Sequence, residues 1–317
     1  MSLAIGIDLG GTAIKGGIVS SKGEILHRTS IDTHASEGVD AVIDRMAGLA
    51  RTLADHAAHR HEPPLGIGVG SPGMIRQRDG VILSSPNLDG WRDVPLVAKL
   101  GAKLNWPITL NNDANNAALG EFRCGAGIGR RNFIMLTLGT GVGGGIIANG
   151  KLYVGSRGNA GELGHTIVHP DGRRCGCGQS GCLEAYASAP ATAQRAVDAL
   201  ESGQESVLRA KQNGHGQLTS ADIVAAAQPG DSVAQHVWME SCKYLAIACV
   251  NFQHVFDPDC IAFAGGMSEA GQYLIDGVNL QVAKFFSTNF GTPPAIMLAK
   301  LGSDAGLVGA AMSAFEE

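Results

Sequence analysis

Three of the seven cysteines, Cys175, Cys177 and Cys182, fall within eight residues of the stretch HTIVHPDGRRCGCGQSGC at 165–182. Two histidines, His165 and His169, precede them. Three thiolates and one imidazole form a ligand set that tetrahedral zinc favours in a closed, structural site. The rival is redox chemistry, but the reactive dithiol motif is C-x-x-C and the nearest pair here is C-x-C. A disulfide framework is not expected. The count is odd, and the opening MSLAIGIDLGG lacks the basic segment and unbroken apolar run of an export signal. A cytoplasmic protein with reduced thiols is the expectation. Cys124, Cys242, Cys249 and Cys260 lie in apolar or helical surroundings and read as inert core thiols.

A second chemistry is suggested by glycine. Asp8-Leu9-Gly10-Gly11-Thr12, Leu138-Gly139-Thr140-Gly141 and Ala264-Gly265-Gly266-Met267 each end an apolar run. Turns of this kind let backbone amides approach an anion without an intervening Cβ and cradle phosphate oxygens. Thr12 and Thr140 add hydroxyl donors. No turn carries the Lys-Ser/Thr pair of a P-loop, and the first two lead into strand-like residues rather than the helix of a dinucleotide fold. Asp8 would repel a phosphate unless a cation stood between them, which implies Mg²⁺ held directly or through water; the alternative is a turn-capping aspartate. Lys15 reads equally as a phosphate contact or a surface lysine. Gly10 and Gly139, and Gly16 and Gly145, share a constant offset of 129. Repetition of a whole half is the implication.

A third group lies in TLNNDANNAALGE at 109–121, where a strand gives way to a helix at Asp113. Aspartate there is either a helix N-cap or a base that accepts a hydroxyl proton.

These residues need a scaffold of alternating strands and helices. Strands are expected at 3–9, 65–70, 107–111, 260–264 and 295–299. Helices are expected at 37–57, 94–103, 114–123, 188–200, 219–228 and 231–255, with a closing helix from about 304 that packs back on the first lobe; 201–217 reads as a helix end and surface loop. This is an α/β pattern, and 317 residues exceed what one core usually serves, so two lobes follow. With 44% hydrophobic residues and 45 glycines the chain is compact and rich in turns. A net charge of −5 without basic runs excludes nucleic acid, and no apolar stretch approaches a membrane span.

Taken together, GIDLGGTAIKGG, NNDANNAALGE, LGTGVGGGI, GNAGELGH, CGCGQSGCLEAYAS, FDPDCIAFAGGMSEAG and LGSDAGLVGAA resemble the ROK family of bacterial sugar kinases, within the actin-like ATPase superfamily. The resemblance runs from residue 4 to about 312. It implies two actin-like (ribonuclease H-like) lobes with nucleotide and sugar in the cleft between them. The smaller lobe would be 1–117 joined by the closing helix 303–317, and the larger 118–302, carrying the zinc loop. Asp113 becomes the catalytic base. That role suits a carboxylate held at a helix N-terminus, because a loose phosphoryl-transfer transition state demands positioning more than early proton abstraction.

The sugar would be bound by Gly73, Asn87, Asn112, Asp113, Glu162, His165 and Glu184. Asp8, Gly10, Gly11, Thr12, Lys15, Gly139, Thr140, Gly141, Gly265 and Gly266 would take ATP with Mg²⁺. The family pattern selects His165 over His169 as the zinc ligand, with Cys175, Cys177 and Cys182. One departure is Ala13, where many members place a polar residue after the threonine. Glucose is the first substrate expected, with Trp91 in NLDGWRDVPL as a weak pointer. Mannose, fructose or an N-acyl-hexosamine are the alternatives, and polyphosphate is an alternative donor. A sugar-responsive regulator is not expected, since the phosphate motif begins at residue 4. Asp8 and Asp113 together oppose a non-catalytic sugar-binding module. A homodimer is expected. Zinc would brace Glu162, three residues before His165, and Glu184, two after Cys182.

Overall fold

The computed structural model describes residues 2–58, 62–85, 88–214 and 216–316. Its first strands are Leu3–Leu9 (β1), Ala13–Ser20 (β2) and Ile25–Asp32 (β3), followed by helix Val39–Ala58 (α1). Pro64–Ser71 (β4), Met74–Arg76 (β5), Val81–Ser84 (β6) and Arg92–Val94 (β7) come next, then helix Leu96–Gly101 (α2), strand Ile108–Asn112 (β8) and helix Asp113–Cys124 (α3).

The main sheet has the order β3-β2-β1-β4-β8. β2 runs antiparallel to β1, while β4 and β8 continue the sheet in parallel. The register sets Asp8 beside Lys15 on one side and Gly70 on the other. β1 is buried almost end to end, as expected of a strand covered on both faces. A Cβ on Gly16 would meet Leu49 and Leu53 of α1 at 2.9 Å, and one on its neighbour Gly17 would meet Leu307 at 2.9 Å. Consecutive side chains point to opposite faces, so α1 and the closing helix Ala305–Ser313 cover the two faces of this sheet. On α1, Val42, Ile43, Met46, Leu49, Ala50 and Leu53 form the stripe that packs inward.

The chain continues with Phe133–Leu138 (β9), Val142–Ala148 (β10) and Lys151–Leu152 (β11). Helices Glu184–Ala187 (α4), Ala189–Glu201 (α5), Leu208–Asn213 (α6), Ser220–Ala227 (α7) and Ser232–Phe256 (α8) follow. Cys260–Ala264 (β12), Gln272–Phe285 (α9), Ile296–Leu298 (β13) and the closing helix (α10) complete it. The second sheet has the order β11-β10-β9-β12-β13, the same pattern of connections as the first. The offset read from the glycines is therefore a repeat of architecture.

Two compact units result. One comprises Met1–Arg130, Gly145–Gly161 and Lys300–Glu317, the other Arg131–Gly144 and Glu162–Ala299. Among the described residues no helix is long and apolar enough to cross a membrane.

Several elements lie outside the sequence-based expectation. The small sheet β5-β6-β7 is built from strands of three or four residues, too short for a period to emerge. Residues 208–213, expected as loop, form α6. α9 is fourteen residues long, yet it follows a glycine turn and starts without a side-chain cap, so the usual start signal is missing.

Candidate functional site

In the first unit the ends of β1, β4 and β8 bring two acids to one place. A Cβ on Gly70 would lie 3.7 Å from Asp8 Oδ1 and 3.8 Å from the Asp113 Cα, so the two residues flank this glycine. The start of α10 reaches the same carboxylate, with a Gly306 Cβ 3.8 Å from Asp8 Oδ2. Burial pushes the Asp8 carboxyl above its ordinary value, and Lys15 pulls it back by a smaller amount. No described residue is hydrogen-bonded to that carboxylate. A partly buried acid of this kind suits a cation ligand better than a turn cap, which would bond a backbone amide.

Asp113 is exposed and opens α3, but the cap is Asn112. The Asn112 side-chain oxygen accepts from the Ala114 and Asn115 amides at 2.9 and 3.3 Å, and its Nδ2 donates to the Gly73 carbonyl at 3.2 Å. Capping by Asn112 corrects the sequence-based alternative that gave this task to Asp113. It also leaves Asn112 with a single N–H to offer a ligand. Asp113 accepts from the Ala114 amide through Oδ1 at 2.8 Å, which fixes its carboxylate in the first turn. Asn87 falls outside the described residues. Trp91 is buried in the first-unit core.

The first glycine turn, with Gly10, Gly11 and the exposed Thr12, is closed by a Gly10 amide bond to the Ala13 carbonyl at 3.0 Å. Thr33, fully buried, holds it from outside. Its hydroxyl donates to the Gly10 carbonyl at 2.7 Å and its amide to the Thr12 carbonyl at 2.8 Å.

In the second unit the other two glycine turns are neighbours. Gly265 has φ 86°, and a Cβ there would come within 2.5 Å of the Leu138 carbonyl, so glycine is required where the two turns meet. Gly139 and Gly141 close the turn through an amide-to-carbonyl bond of 3.0 Å, and Thr140 is exposed between them. Gly266 lines a cavity of about 230 Å³ with Ser220, Val224, Gln228, Trp238 and Met267. The indole N–H of the buried Trp238 has no acceptor among the described residues. The lining is mixed, with Glu269 beside Ser220, Gln228 and the apolar Val224 and Met267. A larger cavity of about 840 Å³, lined by Arg76, Arg78, Arg157 and the start of β8, contains none of the predicted residues.

The cysteine cluster forms as expected, with His165 rather than His169. The ligand atoms of His165, Cys175, Cys177 and Cys182 all lie within 4.8 Å of one another. His165 Nδ1 is 3.7 Å from Cys175 Sγ, and the Cys177 and Cys182 sulfurs are 3.6 Å apart. Both match the edge of about 3.7 Å that a zinc tetrahedron with Zn–S near 2.3 Å requires. The other imidazole nitrogen of His165 lies 4.0 Å from Glu162 Oε2, on the side of that carboxylate but beyond hydrogen-bond distance. Burial pushes the Cys175 and Cys182 thiols up, while the Gln179 backbone pulls Cys177 down. His169 instead stacks on Tyr186. Tyr186 also accepts the Arg173 amide at 2.7 Å, seating the loop on α4. Glu184 accepts from Cys175 Sγ at 3.4 Å through one oxygen and from the Val142 amide at 3.0 Å through the other.

Several contributors escaped the sequence reading. Besides Thr33, the fully buried Asn116 donates to the Val69 carbonyl at 3.2 Å and accepts from Asn111 at 3.0 Å, and Gln77 in turn donates to Asn111. This amide chain supports the ends of β4 and β8 beneath Asp113. Glu121, fully buried on α3, accepts the Ala126 and Lys300 amides at 2.8 Å each and fixes the approach to α10. The density of amides in NNDANN was the only available signal, because a buried partner distant in sequence leaves no local pattern.

The glucokinase of Halalkalibacterium halodurans is 39% identical over 308 residues, covering 96% of this chain and 92% of that protein. The N-acetylmannosamine kinase of Shigella flexneri is 31% identical over 315 residues, covering 98% and 97%. A ROK family glucokinase from Streptomyces griseus, solved in complex with glucose and AMPPNP, superposes with a TM-score of 0.81 at 33% identity and full coverage of both chains. The model of the ROK family matches residues 4–317, and the chain belongs to that family, with its actin-like two-lobe fold.

Proposed function

We propose that this chain transfers the γ-phosphoryl group of ATP to the 6-hydroxyl of a hexose, with glucose as the preferred substrate. The observation that carries the reading is the placement of Asp8 and Asp113 on either side of Gly70: one carboxylate with no hydrogen-bond partner among the described residues, the other fixed at a helix start. The likeness to proteins named glucokinase, one of them complexed with glucose and AMPPNP, supports it over the whole chain.

In this reading Asp113 orients the 6-hydroxyl and accepts its proton as the oxygen bonds to the γ-phosphorus and the bond to the ADP oxygen breaks. The products are hexose 6-phosphate, ADP and a proton that leaves through the Asp113 carboxylate. Asn112 contributes one N–H, and Glu162, His165 and Glu184 supply acceptors and donors for the ring hydroxyls. Gly73 and Asn87 complete the sugar set. Gly10, Gly11, Thr12, Gly139, Thr140 and Gly141 offer amides and hydroxyls to the phosphates, Lys15 adds a cation at their edge, and Gly265 and Gly266 border the base. Asp8 would hold Mg²⁺, which when bound neutralises phosphate charge. His165, Cys175, Cys177 and Cys182 would hold a structural Zn²⁺, which when bound fixes the loop between Glu162 and Glu184. A cytoplasmic homodimer is part of the same proposal; the exposed Val255 near the end of α8 and Phe290 in the turn beyond α9 support self-association, and light scattering would test it.

The test is a coupled assay of glucose, mannose, fructose, N-acetylglucosamine and N-acetylmannosamine, each with ATP and with polyphosphate. Highest turnover with glucose and ATP is expected. Turnover confined to N-acetylmannosamine would favour the second reading, which the Shigella flexneri relative supports. No turnover with any pair would overturn both.

A further inference from the structure

Both glycine turns are held from outside, but by different means. In the first, Thr33 follows β3 directly, and its hydroxyl and amide take the Gly10 and Thr12 carbonyls. The repeat places Gly139 and Gly141 at the corresponding positions. The counterpart of β3 is β11, only two residues long, so no third strand returns to the turn. The brace comes instead from the segment that follows the cysteine cluster. The Ala189 amide donates to the Gly139 carbonyl at 2.9 Å, and the Val142 amide donates to Glu184 Oε2 at 3.0 Å. Glu184 opens α4, which begins two residues after Cys182, and Ala189 opens α5. The second oxygen of Glu184 accepts from the Cys175 thiol in its protonated form; with Cys175 bound to metal as a thiolate that bond is lost, and the link between metal loop and turn runs through the short backbone from Cys182 to Glu184. The fit is tight: a Cβ on Gly141 would stand 2.5 Å from Glu184 Oε2.

We infer that Glu184 is a positioning residue for the phosphate turn at 138–142, coupling the metal loop to nucleotide binding in addition to any contact with sugar. The inference rests on the kinase reading above. A carboxylate that accepts a backbone amide fixes that amide's direction, and a charge-assisted bond of this type is stronger than a neutral one. The turn's remaining groups are then presented to phosphate in one arrangement, which lowers the ordering cost of binding. A residue that served only the sugar would leave nucleotide affinity untouched when no sugar is present.

The experiment is calorimetric titration with Mg²⁺ and a non-hydrolysable ATP analogue, without sugar, on the full chain. Glu184→Ala should weaken analogue binding about ten- to a hundredfold, the range expected for losing a hydrogen bond to a charged group. Glu184→Gln keeps a carbonyl that can accept the Val142 amide and should recover most of the affinity. Gly141→Ala should weaken binding by displacing the carboxylate, and Gly141→Ala with Glu184→Ala should be no weaker than Glu184→Ala alone. Wild-type analogue affinity in Glu184→Ala, or additive losses in the double variant, would overturn the inference. Should Glu184→Ala not fold, Glu184→Gln and Gly141→Ala decide it: reduced affinity in the second with near-normal affinity in the first supports the role, and any other pairing overturns it. Failure of the wild type both to bind the analogue and to turn over sugar would instead defeat the kinase reading.

Discussion

The turns at 8–13 and 138–142 are the same device placed in two settings. At the repeat offset Asp8 corresponds to Thr137, so an acid stands at only one of them. The first turn is self-sufficient: a strand of normal length ends beside it, and one buried threonine holds two of its carbonyls. The second depends on a detour of 42 residues, from Val142 to Glu184, through a cluster of cysteines, returning as Glu184 and Ala189. The duplicated fold thus divides its work. In the proposed reading, one half places carboxylates to handle a proton and a cation, and the other gives its turn a support that a metal would stiffen.

The division can be broken most severely at Asp113. Asp113→Asn should lower kcat by about a hundred- to ten-thousandfold with the fold retained, checked by steady-state kinetics and circular dichroism. Near wild-type turnover would remove the chemical role from this half.

Asp8→Asn should weaken Mg²⁺ dependence of turnover by about ten- to a hundredfold, the scale seen when groups around a bound metal are lost. It should also raise the melting temperature of nucleotide-free protein at neutral pH. The sign follows from the raised carboxyl. The native state binds the proton more tightly than the unfolded chain, so the ionised form costs stability, and that cost vanishes as pH falls through the native value. The gap in melting temperature between variant and wild type should therefore close as the buffer is made acidic. A gap that widened on acidification would contradict burial as the cause.

Removing the metal sharpens the comparison further. After chelation, or in Cys177→Ala, amide exchange should speed up at 138–142 and 162–189 while 8–33 keeps its protection, and analogue affinity should fall about tenfold. Equal loss at both turns would show that the second has no separate support. The smallest effect belongs to Thr33→Val, which removes the hydroxyl bond to Gly10 but keeps the amide bond to Thr12. About 1 kcal/mol, or roughly fivefold in nucleotide affinity, is expected.

Much of this was readable beforehand, for local reasons. Glycines at strand ends, the apolar runs of β1 and β12, and cysteines two and five residues apart carry their meaning within a few positions. The short strands β5 to β7 carried too few residues to show a period, and α9 lacked a capping residue. The distinction between Asn112 and Asp113 as cap depended on where the strand ended, within one residue. Thr33, Asn116 and Glu121 are ordinary polar residues in the sequence, and their importance lies in partners that arrive from elsewhere.

The sequence by itself determined the repeated α/β architecture, the glycine turns and the ligand set for a metal. Backbone conformation, strand period and thiol chemistry are properties of neighbouring residues. The resemblance already selected His165 over His169; only the tertiary structure decided that Asp8 and Asp113 flank Gly70 and that Glu184 reaches back to Val142. Each of those depends on which distant segments are brought within a few ångströms, where desolvation and hydrogen-bond geometry act, and spacing along the chain does not encode that distance.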